Sequence, residues 1–211
     1  MTPAEQAAIE RIALTTAAPW GFALGGGRAL LAYGVTERPS EGVDLFTVDD
    51  SSVRPAAEAV MDALAEAGFS VWEVGDETDL FDDLADILIE LTVSGHDGAS
   101  MPVSLGVQPR SLPPVDLGAG PVTPLEDLAA IKVAAMVNRA EVRDFIDVAA
   151  FLRRFDRDQL LALVTAVDPA LTADDYAACV RQLDCCPDER IRRYGADPLA
   201  VRAAFADWPR D

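Results

Sequence analysis

Three consecutive glycines, Gly25-Gly26-Gly27, lead into a short helical pattern, and Asp44 lies on the next strand pattern. A backbone without side chains can approach a phosphate closely. The helix predicted from Arg28 to about Tyr33 aims its first N–H groups at the same anion. Asp44 stands between Val43 and Leu45, so alternation turns its carboxylate to one face and its apolar neighbours to the other. A carboxylate in mid-strand is costly unless exposed or liganded, and Mg²⁺ brought by a nucleotide is a fitting ligand. The bland alternative is a glycine turn that only permits tight packing.

A second group lies downstream: Lys132, Arg139, Arg143, Asp144 and Asp147. Lys132 is the only lysine among 17 basic residues. In a chain that otherwise uses arginine, one ammonium suits a compact point charge, as at a triphosphate. Arg139, Arg143 and Asp147 follow at intervals of four, which places them on one stripe of a continuous helix. A surface lysine and an ordinary i,i+4 ion pair are the competing readings.

These residues carry a resemblance. The stretch GGGRALLAYGVTERPSEGVDLF resembles the first motif of the DNA polymerase β-like nucleotidyltransferases, specifically the AbiEii/AbiGii type of toxin. That motif has paired small residues, a short helix, Arg-x-Ser/Thr, and two acids one residue apart on a strand. The stretch LEDLAAIKVAAMVNRAEVRDFIDVAAFL resembles the later motifs, a Lys-x-x-Ala helix and a basic-Asp-x-x-Asp helix. The resemblance implies a mixed-sheet nucleotidyltransferase core backed by helices. It implies transfer of a nucleotide from an NTP, often to the tRNA 3′ end, and a cognate antitoxin. By position it gives Gly26 and Gly27 to the phosphates, and Arg38 and Ser40 to ordering the motif loop. It gives Asp44 to Mg²⁺, Lys132 and Arg143 to the triphosphate, and Asp147 to an acid/base or orienting role. In-line displacement at the α-phosphorus is the implied chemistry.

Two positions depart from that pattern. Gly42 stands where the first acid of the pair belongs, and Ser104 where a third acid belongs on the last core strand. Glu41 and Glu90 are the candidate substitutes, with strand parity against Glu41. The departures keep a second reading open, a degenerate nucleotidyltransferase fold that binds or regulates. A small-molecule acceptor, such as an antibiotic hydroxyl, is a third. The enzymatic readings require Asp44 and Lys132 to converge on one polyphosphate.

The elements that must position these residues are legible in outline. Thr2-Pro3-Ala4-Glu5 opens a helix to about Leu14. Strands are predicted at Gly21 to Leu24, Val43 to Val48, Phe69 to Val74, Ile87 to Val93 and Pro102 to Val107. A helix across Pro55 to Ala67, capped by Ser51 or Ser52, ends at Gly68. The acidic stretch Gly75 to Asp86 reads as a solvated loop or helix start. His96 falls in the hairpin turn Ser94 to Gly98, as a solvent-facing residue. Gln108 to Pro121, rich in Pro and Gly, reads as a linker. Beyond it the pattern is helical: Thr123 to Val137 with a capping box of Thr123 and Glu126, then Ala140 to Phe155, Asp158 to Val167, Thr172 to Leu183 and Pro198 to Asp207. The expected class is α+β, with a nucleotidyltransferase core over 1–121 and a C-terminal helical bundle over 122–211.

The composition bounds the rest. Up to Ile131 there are 5 Lys and Arg against 22 Asp and Glu, a balance of −17; from Lys132 onward 12 face 14, a balance of −2. So acidic a first half repels nucleic acid. The arginines of the second half offer a local basic face or ordinary solvated helix surfaces. No apolar run reaches a membrane span and no signal pattern opens the chain, which points to the cytoplasm. Cys179, Cys185 and Cys186 show neither a disulfide framework nor zinc spacing.

Overall fold

Helix α1 (Pro3–Ala17) starts as its sequence demands. Thr2 Oγ1 accepts from the Glu5 N–H, while the Glu5 carboxylate accepts from the Thr2 N–H at 2.7 Å. The bonds this carboxylate accepts from the Thr2 N–H, and next from the Thr2 hydroxyl, hold the Glu5 pKa below the ordinary carboxylate value. The helix runs three residues beyond the predicted Leu14, because Ala17 is still buried against the core. The computed structural model describes residues 1–75 and 87–210. The acidic stretch read at Gly75 to Asp86 therefore lies almost wholly outside the described residues.

The chain divides into two units, Met1–Ala32 with Pro39–Pro124, and Tyr33–Arg38 with Leu125–Asp211. The first is built on a seven-stranded sheet. Its strands are β1 (Ala23–Leu24), β2 (Val43–Thr47), β3 (Ser70–Glu73), β4 (Leu88–Ser94), β5 (Ser100–Val107), β6 (Val115–Asp116) and β7 (Pro121–Val122). Their order is β3-β4-β5-β2-β1-β7-β6. The β2–β5 and β1–β7 pairs are parallel and the other neighbours antiparallel, so the sheet is mixed.

Alternation decides which face is covered. Val43 and Leu45, Ile89 and Leu91, and Val103 and Leu105 are all buried. Over that face lie α1 and α3 (Val53–Glu66), which bury Ile9, Ala13, Val60 and Leu64. Full burial of each large aliphatic side chain contributes roughly 2 kcal/mol before entropy is subtracted. Asp49, rather than either serine, starts the turn before α3 by accepting from Ser51 N–H. Gly68, at φ +90°, ends the helix as the sequence predicts.

The stretch read as a linker is part of the sheet. β6 and β7 form a small hairpin at its edge, and the Arg110 guanidinium donates to the Phe46 and Gly21 carbonyls. Strands of two residues carry no periodicity, so sequence pattern cannot reveal them.

The second unit is helical. Helix α4 (Leu125–Arg139) packs on α5 (Val142–Phe151), α6 (Arg157–Val167) and α7 (Ala173–Cys185). Two short helices, α8 (Asp188–Arg192) and α9 (Pro198–Ala204), pack on α5. Phe145, Phe205, Trp208 and Tyr176 form a chain of edge-on ring contacts with centroids 5.2 to 5.9 Å apart. Two expectations fail here. The capping box of Thr123 and Glu126 does not form, because the helix begins only at Leu125 and the Thr123 hydroxyl has no hydrogen-bond partner among the described residues. The single helix through Ala140 is broken, because Ala140 takes φ +50° and ends α4. No helix among the described residues is long and apolar enough to cross a membrane.

Candidate functional site

In the first unit the glycine turn and Asp44 meet. The β2 pattern turns Asp44 and Phe46 away from the buried face, as alternation predicts. Gly25 N–H donates to the Asp44 carbonyl at 2.7 Å. A Cβ on Gly25 would stand 2.6 Å from the Phe46 ring, and one on Gly26 only 1.7 Å from Asp44 Oδ2. Gly26 also has φ +55°, which disfavours any side chain. Gly26 is therefore required by its close approach to the carboxylate, and Gly25 by its approach to the Phe46 ring. Helix α2 (Gly26–Ala32) begins at this contact, two residues earlier than predicted, with Gly26 and Gly27 in its first turn.

The loop before β2 is fastened to one carbonyl. Gly42 O accepts from Arg28 Nε at 2.9 Å and from Ser40 Oγ at 3.1 Å. A Cβ at Gly42 would meet the Pro102 carbonyl oxygen and Cγ, each at 2.8 Å. The position where the motif expects an acid is thus closed by β5 itself. Ser104 lies beside Asp44 in the β2–β5 register. Among the described residues no group of three or more His, Cys, Asp or Glu side chains could hold a metal ion. Asp44 supplies hard carboxylate oxygens in a cradle kept clear by Gly26, and this donor set fits a Mg²⁺ ion that takes its other ligands from phosphates and water.

In the second unit, two fully buried carboxylates sit among three cations. Asp147 Oδ1 and Oδ2 accept from Arg38 Nε and Nη2 at 2.8 and 2.7 Å. Lys132 Nζ lies 2.9 Å from Asp147 Oδ2 and 4.0 Å from Asp144 Oδ1. Asp144 in turn takes two bonds, at 2.7 and 2.8 Å, from Arg139. Lys132 is 7% exposed, so its ammonium is oriented by neighbours rather than free on a surface. Burial works against the charge of Arg38, yet the hydrogen bonds and charge of Asp147, with Asp144 behind it, raise its pKa above the ordinary guanidinium value.

The other predicted residues fall elsewhere. Arg143 is not on a stripe with Arg139, since Ala140 separates their helices; it pairs with Glu141 at 2.7 Å. His96 is in the hairpin turn with its side chain exposed, 3.5 Å from Glu5. Of the arginines read as a basic face, Arg154 donates to the Tyr33 and Gly34 carbonyls, while Arg157 and Arg192 pair with Asp158 and Asp188. Cys179 is buried, and burial followed by the Asp144 charge pushes its pKa up to about 12. A cleft of about 740 Å³ in this unit is lined by Arg38, Arg153 and Arg157 but also by Glu37, Asp156, Asp197 and Asp207. It presents no single-sign field to an anion.

The Arg38–Asp147 pair was not readable as a pair, because its members are 109 positions apart. No spacing rule reaches that far.

Known proteins share the fold. The fold is similar to the nucleotidyltransferase toxin MenT4 (Rv2826c) of Mycobacterium tuberculosis H37Rv, with a TM-score of 0.62, 18% identity, and coverage of 96% of this chain and 82% of that one. It is similar to JHP933 from Helicobacter pylori, with a TM-score of 0.59, 16% identity and coverage of 95% and 89%. A putative nucleotidyltransferase from H. pylori gives 0.58, 15% identity and coverage of 97% and 94%. No curated protein sequence matches the chain. Residues 19–193 match the family described as nucleotidyl transferase AbiEii toxin, of type IV toxin–antitoxin systems. An α+β protein with the glycine turn, Asp44, Lys132 and Asp147 in that order, this chain belongs to the AbiEii nucleotidyltransferase toxin family.

Proposed function

We propose that the protein transfers a nucleotide from an NTP to an acceptor hydroxyl, the tRNA 3′ end being the acceptor the family resemblance implies. The observation that carries this reading is the Asp44 carboxylate against Gly26, where no side chain fits and where no ion pair occupies it among the described residues. A carboxylate held open in this way is a ligand awaiting a partner. Backbone N–H groups of Gly26 and Gly27 bind phosphate, and Asp44 holds Mg²⁺. When bound, the ion neutralises polyphosphate charge and polarises the phosphoryl oxygens. Lys132 is the ammonium that the family resemblance gives to a triphosphate. Asp147 has both oxygens already accepting from Arg38 and Lys132, so its role is to orient Lys132 rather than to move a proton. Ser40 holds the loop through the Gly42 carbonyl. Arg143, a third exposed and paired with Glu141, is given no role in the phosphate site. The protein works in the cytoplasm under a cognate antitoxin.

The experiment is incubation with each labelled NTP, Mg²⁺ and total tRNA, comparing wild type with Asp44→Ala. Label on RNA that vanishes in Asp44→Ala supports the reading. No labelled RNA with any of the four nucleotides counts against it.

One observation favours a second reading, a degenerate fold that binds or regulates without catalysis. Pro102 occupies the space an acid at Gly42 would need, and Ser104 offers no carboxylate. Calorimetry then shows weak NTP binding indifferent to Mg²⁺. Tight Mg²⁺-dependent binding lost in Asp44→Asn rules that version out.

A further inference from the structure

The register of the sheet brings another acid to the side of Asp44. Asp44 on β2 is paired with Ser104 on β5, and Ser104 with Glu90 on β4, so the three form one row across the strands. Residues in register on neighbouring strands face the same side. Burial agrees, since Ile89 and Leu91 flank Glu90 on the covered face while Glu90 is exposed. Two strand spacings put the Cα atoms of Glu90 and Asp44 about 10 Å apart. The extra methylene of glutamate lengthens the reach across Ser104. Glu90 makes no ion pair or side-chain hydrogen bond among the described residues, whereas Glu73 nearby on β3 is paired with Arg54.

We infer that Glu90 supplies the carboxylate that Ser104 lacks, acting on the divalent cation held by Asp44. The inference rests on the role proposed for Asp44. Mg²⁺ keeps several waters even when phosphates and one carboxylate bind it. Those waters need acceptors, and the partners that hold such ligands in place govern affinity strongly. A glutamate one strand beyond the usual position suits that task better than direct ligation. The plain alternative is a glutamate that merely keeps the sheet face wet.

The test uses the full chain with Mn²⁺ as the probe, followed by electron paramagnetic resonance, with and without a non-hydrolysable NTP. The variants are Glu90→Gln, Glu90→Asp, Asp44→Asn and, as a control for loss of one charge, Glu58→Gln on the exposed face of α3. The expected result is a three- to tenfold weaker Mn²⁺ affinity in Glu90→Gln with nucleotide present, and under twofold in Glu58→Gln. Glu90→Asp, which keeps the charge but shortens the arm, weakens binding as Glu90→Gln does. If Glu90→Gln matches Glu58→Gln, or Glu90→Asp matches wild type, the inference is overturned while Asp44 keeps its role. If Asp44→Asn binds Mn²⁺ as wild type does, the Asp44 assignment falls and the Glu90 inference falls with it.

Discussion

Arg38 holds Asp147 by two parallel hydrogen bonds, 2.8 and 2.7 Å long, and the carboxylate they fix is the one that Lys132 leans on. A planar guanidinium matched to a carboxylate fixes direction as well as distance. Neither is available to lysine at the same place.

Arg38→Lys should therefore cost more than a conservative exchange suggests. One of two bonds is lost and the buried carboxylate is left partly unmatched, so urea unfolding should show a loss of about 1–3 kcal/mol. Arg38→Ala, which removes one charge of a buried pair, should lose about 3–5 kcal/mol. A loss below half a kcal/mol in Arg38→Ala would mean that Lys132 alone satisfies Asp147.

Gly26→Ala should separate activity from folding. Its Cβ would fall 1.7 Å from Asp44 Oδ2, so the carboxylate must turn away. Mg²⁺-dependent NTP binding should drop at least tenfold in calorimetry. Thermal stability should fall only by the strain of a left-handed alanine, about 1 kcal/mol. Unchanged Mg²⁺-dependent binding would remove Asp44 from the phosphate site.

Restoring the missing acid by Gly42→Asp should fail. The new Cβ meets Pro102 O at 2.8 Å, and backbone of a central strand does not yield cheaply. Overpacking of this kind costs about 1–3 kcal/mol, so the variant should melt lower and transfer no faster. A faster enzyme would show that β5 shifts to admit the side chain.

The thiols should divide two to one. Cys185 and Cys186 lie at or near the surface, while Cys179 is buried and donates to the Met136 carbonyl. Iodoacetamide should modify two cysteines of the native protein and the third only in denaturant, as mass spectrometry would count.

Stability should also decline in alkali. Burial raises Cys179 from 9.0 to about 12, and raises Tyr176 on the same helix from 10.0 to about 12. The folded protein thus keeps protons that the unfolded chain releases above about pH 9. Unfolding is favoured as pH rises from there toward 12. The urea midpoint should fall between pH 8.5 and 10.5, and fall less in Cys179→Ala relative to its own value at pH 8.5.

The sequence shows periodic things well and distant things poorly. Strand alternation placed Asp44 on the open face because β2 is five residues long, enough for two full periods. Thr2 with Glu5, and Gly68, marked helix ends because caps are local chemistry. The break at Ala140 was hidden, since alanine is the best helix former and gives no signal of a stop. β6 and β7 were hidden by their length. The ion-paired cluster around Lys132 showed its members but not their pairing: Arg139 sits on Asp144 across the break, and Arg38 arrives from another stretch of chain.

The single lysine of the chain is enclosed in its helical unit. Reagents that acylate amines should leave it unmarked in the native state. Any acyl mark that does accumulate on Lys132 then counts the moments at which the helices part, so one side chain becomes a clock for the breathing of that unit.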